Sequence, residues 1–158
     1  MINFGFKSGK NMPNVYLELT PLDRILEGLI VLFAVAAWVL TLVLYYNSSL
    51  PTKHLFIVSS VITMFTLLFL WSSRAPIRFY NFPVILNERN YVMQYFIASR
   101  FTRIIGLLLN PLLFFQAMIT IEPGLNIPPG FFLIIVCAFT VLLLASFIGY
   151  YIVAFRHR

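Results

Sequence analysis

The sequence predicts an all-α integral membrane protein, a bundle of four transmembrane helices with both termini in the cytoplasm. The chain of 158 residues is 61% hydrophobic and only 10% charged, whereas about a quarter of a soluble domain is charged. Most of its length lies in four apolar runs, and a helix needs ~20 apolar residues to cross a bilayer. We expect a single domain, residues 1–158, with spans at 21–46, 53–73, 103–121 and 130–155 and a connector at 74–102.

The orientation is predicted from the basic residues, which concentrate in short cytoplasmic loops of membrane proteins. Lys7 and Lys10 precede the first span, and Arg156 and Arg158 follow the last one. The connector and the first residue of the third span carry five arginines, whereas residues 47–54 and 122–130 carry little positive charge. The N-terminus, the connector and the C-terminus are therefore expected on the cytoplasmic side. The first span is expected to serve as an uncleaved signal anchor.

The first span has a well-defined predicted start. Thr20 can cap the helix, Pro21 suits the first helical position, and Asp23 completes a capping box with Thr20. Asp23 and Glu27 fall in the first two turns, where the helix dipole favours negative charge. We expect both carboxylates at the membrane interface.

Small and polar residues in the second and fourth spans indicate helix packing. The second span carries Ser59, Thr63 and Thr66, whose hydroxyls can bond to the preceding turn or to a neighbouring helix. The fourth span carries Ala145 and Gly149 at a spacing that lets helices approach closely. A substrate path along the hydroxyls is the less favoured alternative.

The connector is expected to divide into two parts. Residues 74–86 contain two prolines and are predicted to be extended. Asn87 is predicted to be the N-cap of a helix, with Glu88 in its first turn. Nothing breaks the pattern after Glu88, so a basic amphipathic helix is expected to lead into the third span.

The third span contains a kink signal near its middle. Pro111 removes one backbone donor from the helix, and membrane helices tolerate this when neighbouring groups bond the freed carbonyl. Asn110 can do so or can bond to another span, and Gln116 lies a turn and a half further. Two interpretations remain open, a kink held by interhelical hydrogen bonds and a hinge or small polar site, and the first is favoured because such bonds are common in helix bundles.

The titratable residues argue against catalysis. The five carboxylates all lie outside the middle of the spans, and His54 and His157 lie near span ends on opposite faces of the membrane. The single cysteine, Cys137, is interpreted as a small buried hydrophobic residue. We find no spacing suited to a metal site and no nucleotide-binding or catalytic motif. We therefore expect no enzyme activity, catalytic residue, metal, cofactor, small-molecule substrate or nucleic-acid partner.

The arginines of the connector and of the start of the third span are the candidate binding residues. They lie close to the span ends, where guanidinium groups contact lipid phosphates or an acidic protein surface. The candidates are Arg74, Arg78, Arg89, Arg100 and Arg103.

The same segment resembles a known family. It reads Tyr80-Asn81-Phe82-Pro83-Val84-Ile85-Leu86-Asn87-Glu88-Arg89-Asn90, followed by Gln94-Tyr95, Ala98-Ser99-Arg100 and Arg103. This is similar to the Phe-Asn-Tyr-Pro-Val…Glu-x-Asn-x-x-x-Gln-Tyr…Arg pattern of a small bacterial membrane family, frequent in Bacteroidetes and related to the SdpI-type toxin-immunity proteins. The resemblance covers residues 35–121, and it implies the same order of spans and a location in the bacterial inner membrane. The outer loop typical of that family is shortened here to residues 47–53.

The functional expectation is a non-catalytic interaction protein, an accessory subunit of a larger membrane complex. Its partners would be membrane lipids and either other integral membrane proteins or a second copy of the chain. The alternative, implied by the resemblance, is a stand-alone toxin-immunity or envelope-stress regulatory protein. A transporter or enzyme would require Asn110, Gln116, Glu27 or the hydroxyls of the second span to line a cavity.

Overall fold

A computed structural model of the chain describes residues 7–8, 15, 18–47, 53–119, 125 and 128–157. Within these residues the fold is all-α and has four long helices, α1 (Pro21–Asn47), α2 (Lys53–Ser73), α3 (Tyr91–Met118) and α4 (Phe131–Arg156). Each is long and apolar enough to cross a membrane, which confirms the predicted four-helix membrane fold. Lys10, Glu122, Arg158 and most of the two predicted outer loops lie outside the described residues.

The local signals at the start of α1 act as the sequence predicts. The Asp23 backbone N–H donates to Thr20 Oγ1 over 3.3 Å, and the Thr20 backbone N–H donates to Asp23 Oδ2 over 3.1 Å. These reciprocal bonds form the capping box and satisfy two backbone donors that a helix start leaves without partners.

The helix α3 is the central element of the bundle. It packs against α1, α2 and α4, whereas α4 packs mainly on α3. The most apolar stretch of α3 has 39% of its residues buried, and the corresponding stretch of α4 only 6%. The core between α1, α2 and α3 is built around Ile62 and Phe114. Gly106 brings α3 close to α2, since a Cβ at this position would lie 3.0 Å from Phe69 Cγ.

The start of α3 differs from the prediction. The N-cap of α3 is Asn90 and not Asn87. Asn87 instead caps the turn before the helix, because its Oδ1 accepts the backbone N–H groups of Arg89 and Asn90, each over 2.9 Å. Residues 88–90 form this turn, and the regular helix begins at Tyr91. From there α3 continues without interruption through Pro111 to Met118. Its 28 residues measure roughly 42 Å, longer than a hydrocarbon core of ~30 Å.

The first part of the connector is not simply extended, as the sequence predicts, but folds against α3. A 3-10 helix at Ile77–Phe79 is followed by a short strand β2 (Asn81–Phe82), which pairs antiparallel with a strand β1 (Lys7–Ser8). Burial explains this departure, because Ile77 and Phe82 are fully buried against Tyr95 and Ala98 of α3. The helices α1 and α3 begin, and α2 and α4 finish, on the same side of the bundle, which we call the basic end.

Candidate functional site

Five charged side chains, three of them buried, meet at the basic end, and we call them the charge cluster. Two carboxylates lie one turn apart on α1, and three guanidinium groups come from the end of α2 and from α3. Its members are Asp23, Glu27, Arg74, Arg100 and Arg103.

Glu27 is the most heavily bonded member of the charge cluster. Its Oε1 accepts a hydrogen bond from Arg103 Nε over 2.9 Å and another from Arg74 Nε over 3.3 Å. Its second oxygen accepts from a terminal nitrogen of Arg74. The Glu27 side chain is 7% exposed and that of Arg103 is 5% exposed, whereas that of Arg74 is 58% exposed. The Glu27–Arg103 pair is therefore the buried part of the charge cluster, and Arg74 binds Glu27 from the exposed side.

Asp23 combines helix capping with ion pairing. Its Oδ2 belongs to the capping box, and its Oδ1 lies 3.2 Å from Arg100 Nε and 3.6 Å from Arg103 Nη1. Arg100 also donates to Thr20 Oγ1 over 3.1 Å and lies over the Phe96 ring, 4.3 Å from its centroid. The start of α1 is thereby tied to α3 by two guanidinium groups.

Hydroxyl groups extend the network to the end of α2. Arg103 Nη1 donates to Ser99 Oγ over 2.9 Å, and Ser99 in turn donates to the Ser73 carbonyl. The Tyr95 hydroxyl donates to the Ala75 carbonyl over 2.8 Å. The Ser73 bond uses a carbonyl that the end of α2 leaves without a helical partner, and the Tyr95 bond holds the second residue after α2. The end of α2 is therefore also tied to α3.

Two side chains of the connector have shifted pKa values. Burial raises the pKa of Tyr80 to about 12, and its hydroxyl donates to the Ser72 carbonyl. Hydrogen bonding to the Glu27 carboxylate raises the pKa of Arg74 above its ordinary value. The phenol of Tyr80 thus stays neutral and acts as a donor across the physiological range.

The five arginines that the sequence singles out have different surroundings. Arg74, Arg100 and Arg103 belong to the charge cluster and bond to carboxylates of the same chain. Arg78 and Arg89 are exposed, and the Arg78 guanidinium lies over the Phe79 ring at 5.1 Å from its centroid. The structure therefore brings three of the five together and separates the other two from them.

The sequence analysis missed the burial of the two carboxylates. Asp23 and Glu27 do lie in the first two turns of α1, but they are only 2% and 6% exposed, because they pack against arginines of α3. Two signals could have identified the pairing. Carboxylates four residues apart share one helix face, and Ser99 and Arg103 have the same spacing on α3.

Polar residues deeper in the bundle join neighbouring helices. Asn110 Nδ2 donates to Thr66 Oγ1 over 2.8 Å and links α3 to α2. The Thr41 and Ser59 hydroxyls are bonded over 2.9 Å and link α1 to α2. Pro111 is buried beside Asn110, whereas the Gln116 side chain is exposed. Of the residues near the predicted kink, Asn110 therefore makes an interhelical contact, and Gln116 directs its amide outward.

The described residues contain no group of three or more His, Cys, Asp or Glu side chains able to hold a metal ion. The His54 ring Nε2 lies 3.2 Å from the Ala117 carbonyl oxygen. Cys137 is exposed on α4, so the interpretation as a buried residue was wrong. The reason is that α4 is peripheral and presents most of its surface outward.

The charge cluster is a network of ion pairs that connects neighbouring helices. Each carboxylate is ion-paired with two guanidinium groups, and the pairs join α1 to α3 and to the residue that follows α2. Removing one partner would leave a buried charge without full compensation, so each pair depends on the others being in place.

Comparisons of the chain with protein-family models, with curated protein sequences and with solved structures give no match.

Proposed function

We propose that this chain is a non-catalytic integral membrane interaction protein, an accessory subunit of a larger membrane complex. The observation that carries the proposal is the closure of the charge cluster within one chain. Asp23 and Glu27 are buried and bonded to arginines, so their role is to hold the helices of the bundle in a fixed arrangement. A shape held in this way is suited to presenting a fixed surface to a neighbour.

The surface that best fits such a role is that of α4. This helix packs mainly on α3 and leaves large apolar side chains outward along its length. Lipid tails are as apolar as these side chains, so association depends on close packing at small residues. Ala145 is a small residue exposed on α4. The partner would therefore be another integral membrane protein, or a second copy of this chain.

The resemblance to the bacterial family bears on the fold more than on immunity. Several residues of the shared pattern hold the connector to the helices. Tyr95 bonds to the end of α2, Gln94 Nε2 donates to the Ala154 carbonyl over 2.8 Å, and Arg103 binds Glu27. A stand-alone immunity or stress-regulatory protein in the bacterial inner membrane is the function that the resemblance implies, and the experiment below separates it from a subunit.

The test is recovery of a tagged chain from its native membranes in a mild detergent. A subunit is expected to bring a partner at constant ratio. Ala145→Leu should weaken that recovery because it adds bulk to the proposed surface of α4. Ala36→Leu adds the same bulk to the exposed side of α1 and should leave recovery unchanged. Recovery of a lone chain would contradict the proposal, and toxin-challenge experiments would then follow.

A further inference from the structure

A groove of about 400 Å³ runs between α3 and α4 at the basic end. Its walls are mainly apolar, with Met93 and Ile104 from α3 and Val153 from α4. Two basic residues, Arg100 and His157, also line it. The described residues that line the groove include no carboxylate. The volume falls in the range of ~300–1,000 Å³ that ligand sites occupy.

The length of the groove favours a lipid chain over a helix of a partner. From Met93 to Ile104, α3 advances eleven residues, roughly 16 Å at the rise of an α-helix. A hydrocarbon core is ~30 Å thick, so the groove covers about half of it. A transmembrane helix ~10 Å wide would need a longer and broader surface, whereas one acyl chain of a single leaflet matches this extent.

The charge of the groove favours an anionic headgroup. The charge cluster contains three guanidinium groups and two carboxylates, which leaves one unit of positive charge on the cluster. The Arg100 side chain is 28% exposed, and it is the member of the cluster that lines the groove. Basic pockets between transmembrane helices are typical binding sites for anionic lipid headgroups.

We propose that this groove binds one anionic glycerophospholipid. Its phosphate accepts hydrogen bonds from the Arg100 guanidinium and the His157 imidazole, and one acyl chain lies along the apolar walls. Binding needs only this chain and lipid. It can therefore be tested on the purified protein, and its failure would leave the proposal of an accessory subunit untouched.

Gly149 provides a way to fill the groove without disturbing the fold. It lines the groove, and a Cβ at this position would meet nothing within 4 Å. Leucine at this position can therefore occupy the space of the acyl chain. Ala138 is exposed on the same helix, three turns away and outside the groove, so Ala138→Leu is the matched control for added bulk.

The experiment is native mass spectrometry of the purified full chain with defined mixtures of phosphatidylglycerol and phosphatidylcholine. The wild type and Ala138→Leu are expected to retain one phosphatidylglycerol per chain, with about tenfold preference over phosphatidylcholine. Gly149→Leu should lose this retention while keeping the wild-type helical content and thermal midpoint. Equal retention of both lipids, or unchanged retention in Gly149→Leu, would overturn the proposal.

The headgroup contact needs a separate variant, because Arg100 also bonds to Asp23. His157→Glu places negative charge at the groove and is expected to lower the preference for phosphatidylglycerol about fivefold or more. Arg78→Gln changes the net charge by the same single unit at an exposed position outside the groove. It should keep the preference, and an equal loss in both variants would show that net charge alone attracts the lipid, against the proposal.

Discussion

The buried half of the charge cluster can be tested through Arg103→Gln. The Arg103 side chain is 5% exposed and lies 2.9 Å from Glu27 and 3.6 Å from Asp23. Breaking a buried ion pair by removing one partner costs ~3–5 kcal/mol, because the other charge stays buried without compensation. Arg74 still binds Glu27 in this variant, so we expect a loss of unfolding free energy near the lower limit, about 3 kcal/mol.

Arg74→Gln is the matched comparison, because it removes a guanidinium from the same carboxylate. The Arg74 side chain is 58% exposed, and ion pairs that water can reach contribute ~0–1 kcal/mol. We expect Arg74→Gln to cost less than about 1 kcal/mol. The double variant Glu27→Met/Arg103→Met should be less destabilised than Arg103→Gln, because it removes the buried charges of the pair together.

The assay is reversible unfolding in mixed micelles, followed by circular dichroism and extrapolated to zero denaturing detergent. The comparison requires that all variants unfold in one cooperative transition of equal steepness. Equal losses for Arg103→Gln and Arg74→Gln would refute the reasoning, because burial would then not determine the contribution of each pair. A double variant less stable than Arg103→Gln would refute it as well.

Three other predictions follow from the structure, and a fourth follows from the distribution of basic residues along the sequence. Gly106→Leu should destabilise the bundle by at least ~1–3 kcal/mol by displacing Phe69, whereas Gly28→Leu, where a Cβ has nothing within 4 Å, should not. Thr66→Val should cost ~1–3 kcal/mol because the buried Asn110 amide loses its acceptor, and Thr140→Val, at an exposed position, should cost little. The Tyr80 contribution to the unfolding free energy should be constant below pH 10 and be lost as the pH rises toward about 12, because Tyr80 ionises at a higher pH in the folded chain, and Tyr80→Phe should reduce the fall in stability over this range. In a background without Cys137, a cysteine at position 78 should react with an impermeant maleimide only after the membrane is opened, and one at position 53 should react in intact cells; the reverse result would refute the predicted orientation.

The four-helix membrane fold could be predicted because its signals are one-dimensional. Apolar runs of sufficient length identify the helices, and local caps identify their starts, as the bonds between Thr20 and Asp23 show. Asn87 was likewise recognisable as a capping residue, although it caps the turn before α3. The exact start of α3 was less predictable, because residues 88–90 form a turn whose continuation as a helix depends on contacts with the rest of the chain.

The charge cluster was harder to predict, because it depends on which helix faces meet. Sequence shows that Arg100 and Arg103 lie near a span end, and lipid phosphate or solvent is then an adequate partner for each. Only the packing of α1 against α3 brings them within 3.2 Å and 2.9 Å of carboxylates. The peripheral position of α4, and with it the exposure of Cys137, depends on packing in the same way.

The position of the charge cluster explains how one chain can keep charged groups inside a membrane bundle. The first turn of α1 and the last turn of α2 both leave backbone groups without helical partners, so this end of the bundle needs polar side chains to bond to them. The Thr20 and Asp23 side chains accept hydrogen bonds from two backbone N–H groups at the start of α1, and Ser99 and Tyr80 donate to carbonyls of the last turn of α2. The arginines of α3 then bond to the carboxylates of α1 from the same level. Caps and ion pairs thus form one network, so loss of Arg103 should loosen α1 and α2 together, and hydrogen exchange should rise at both helix ends in Arg103→Gln.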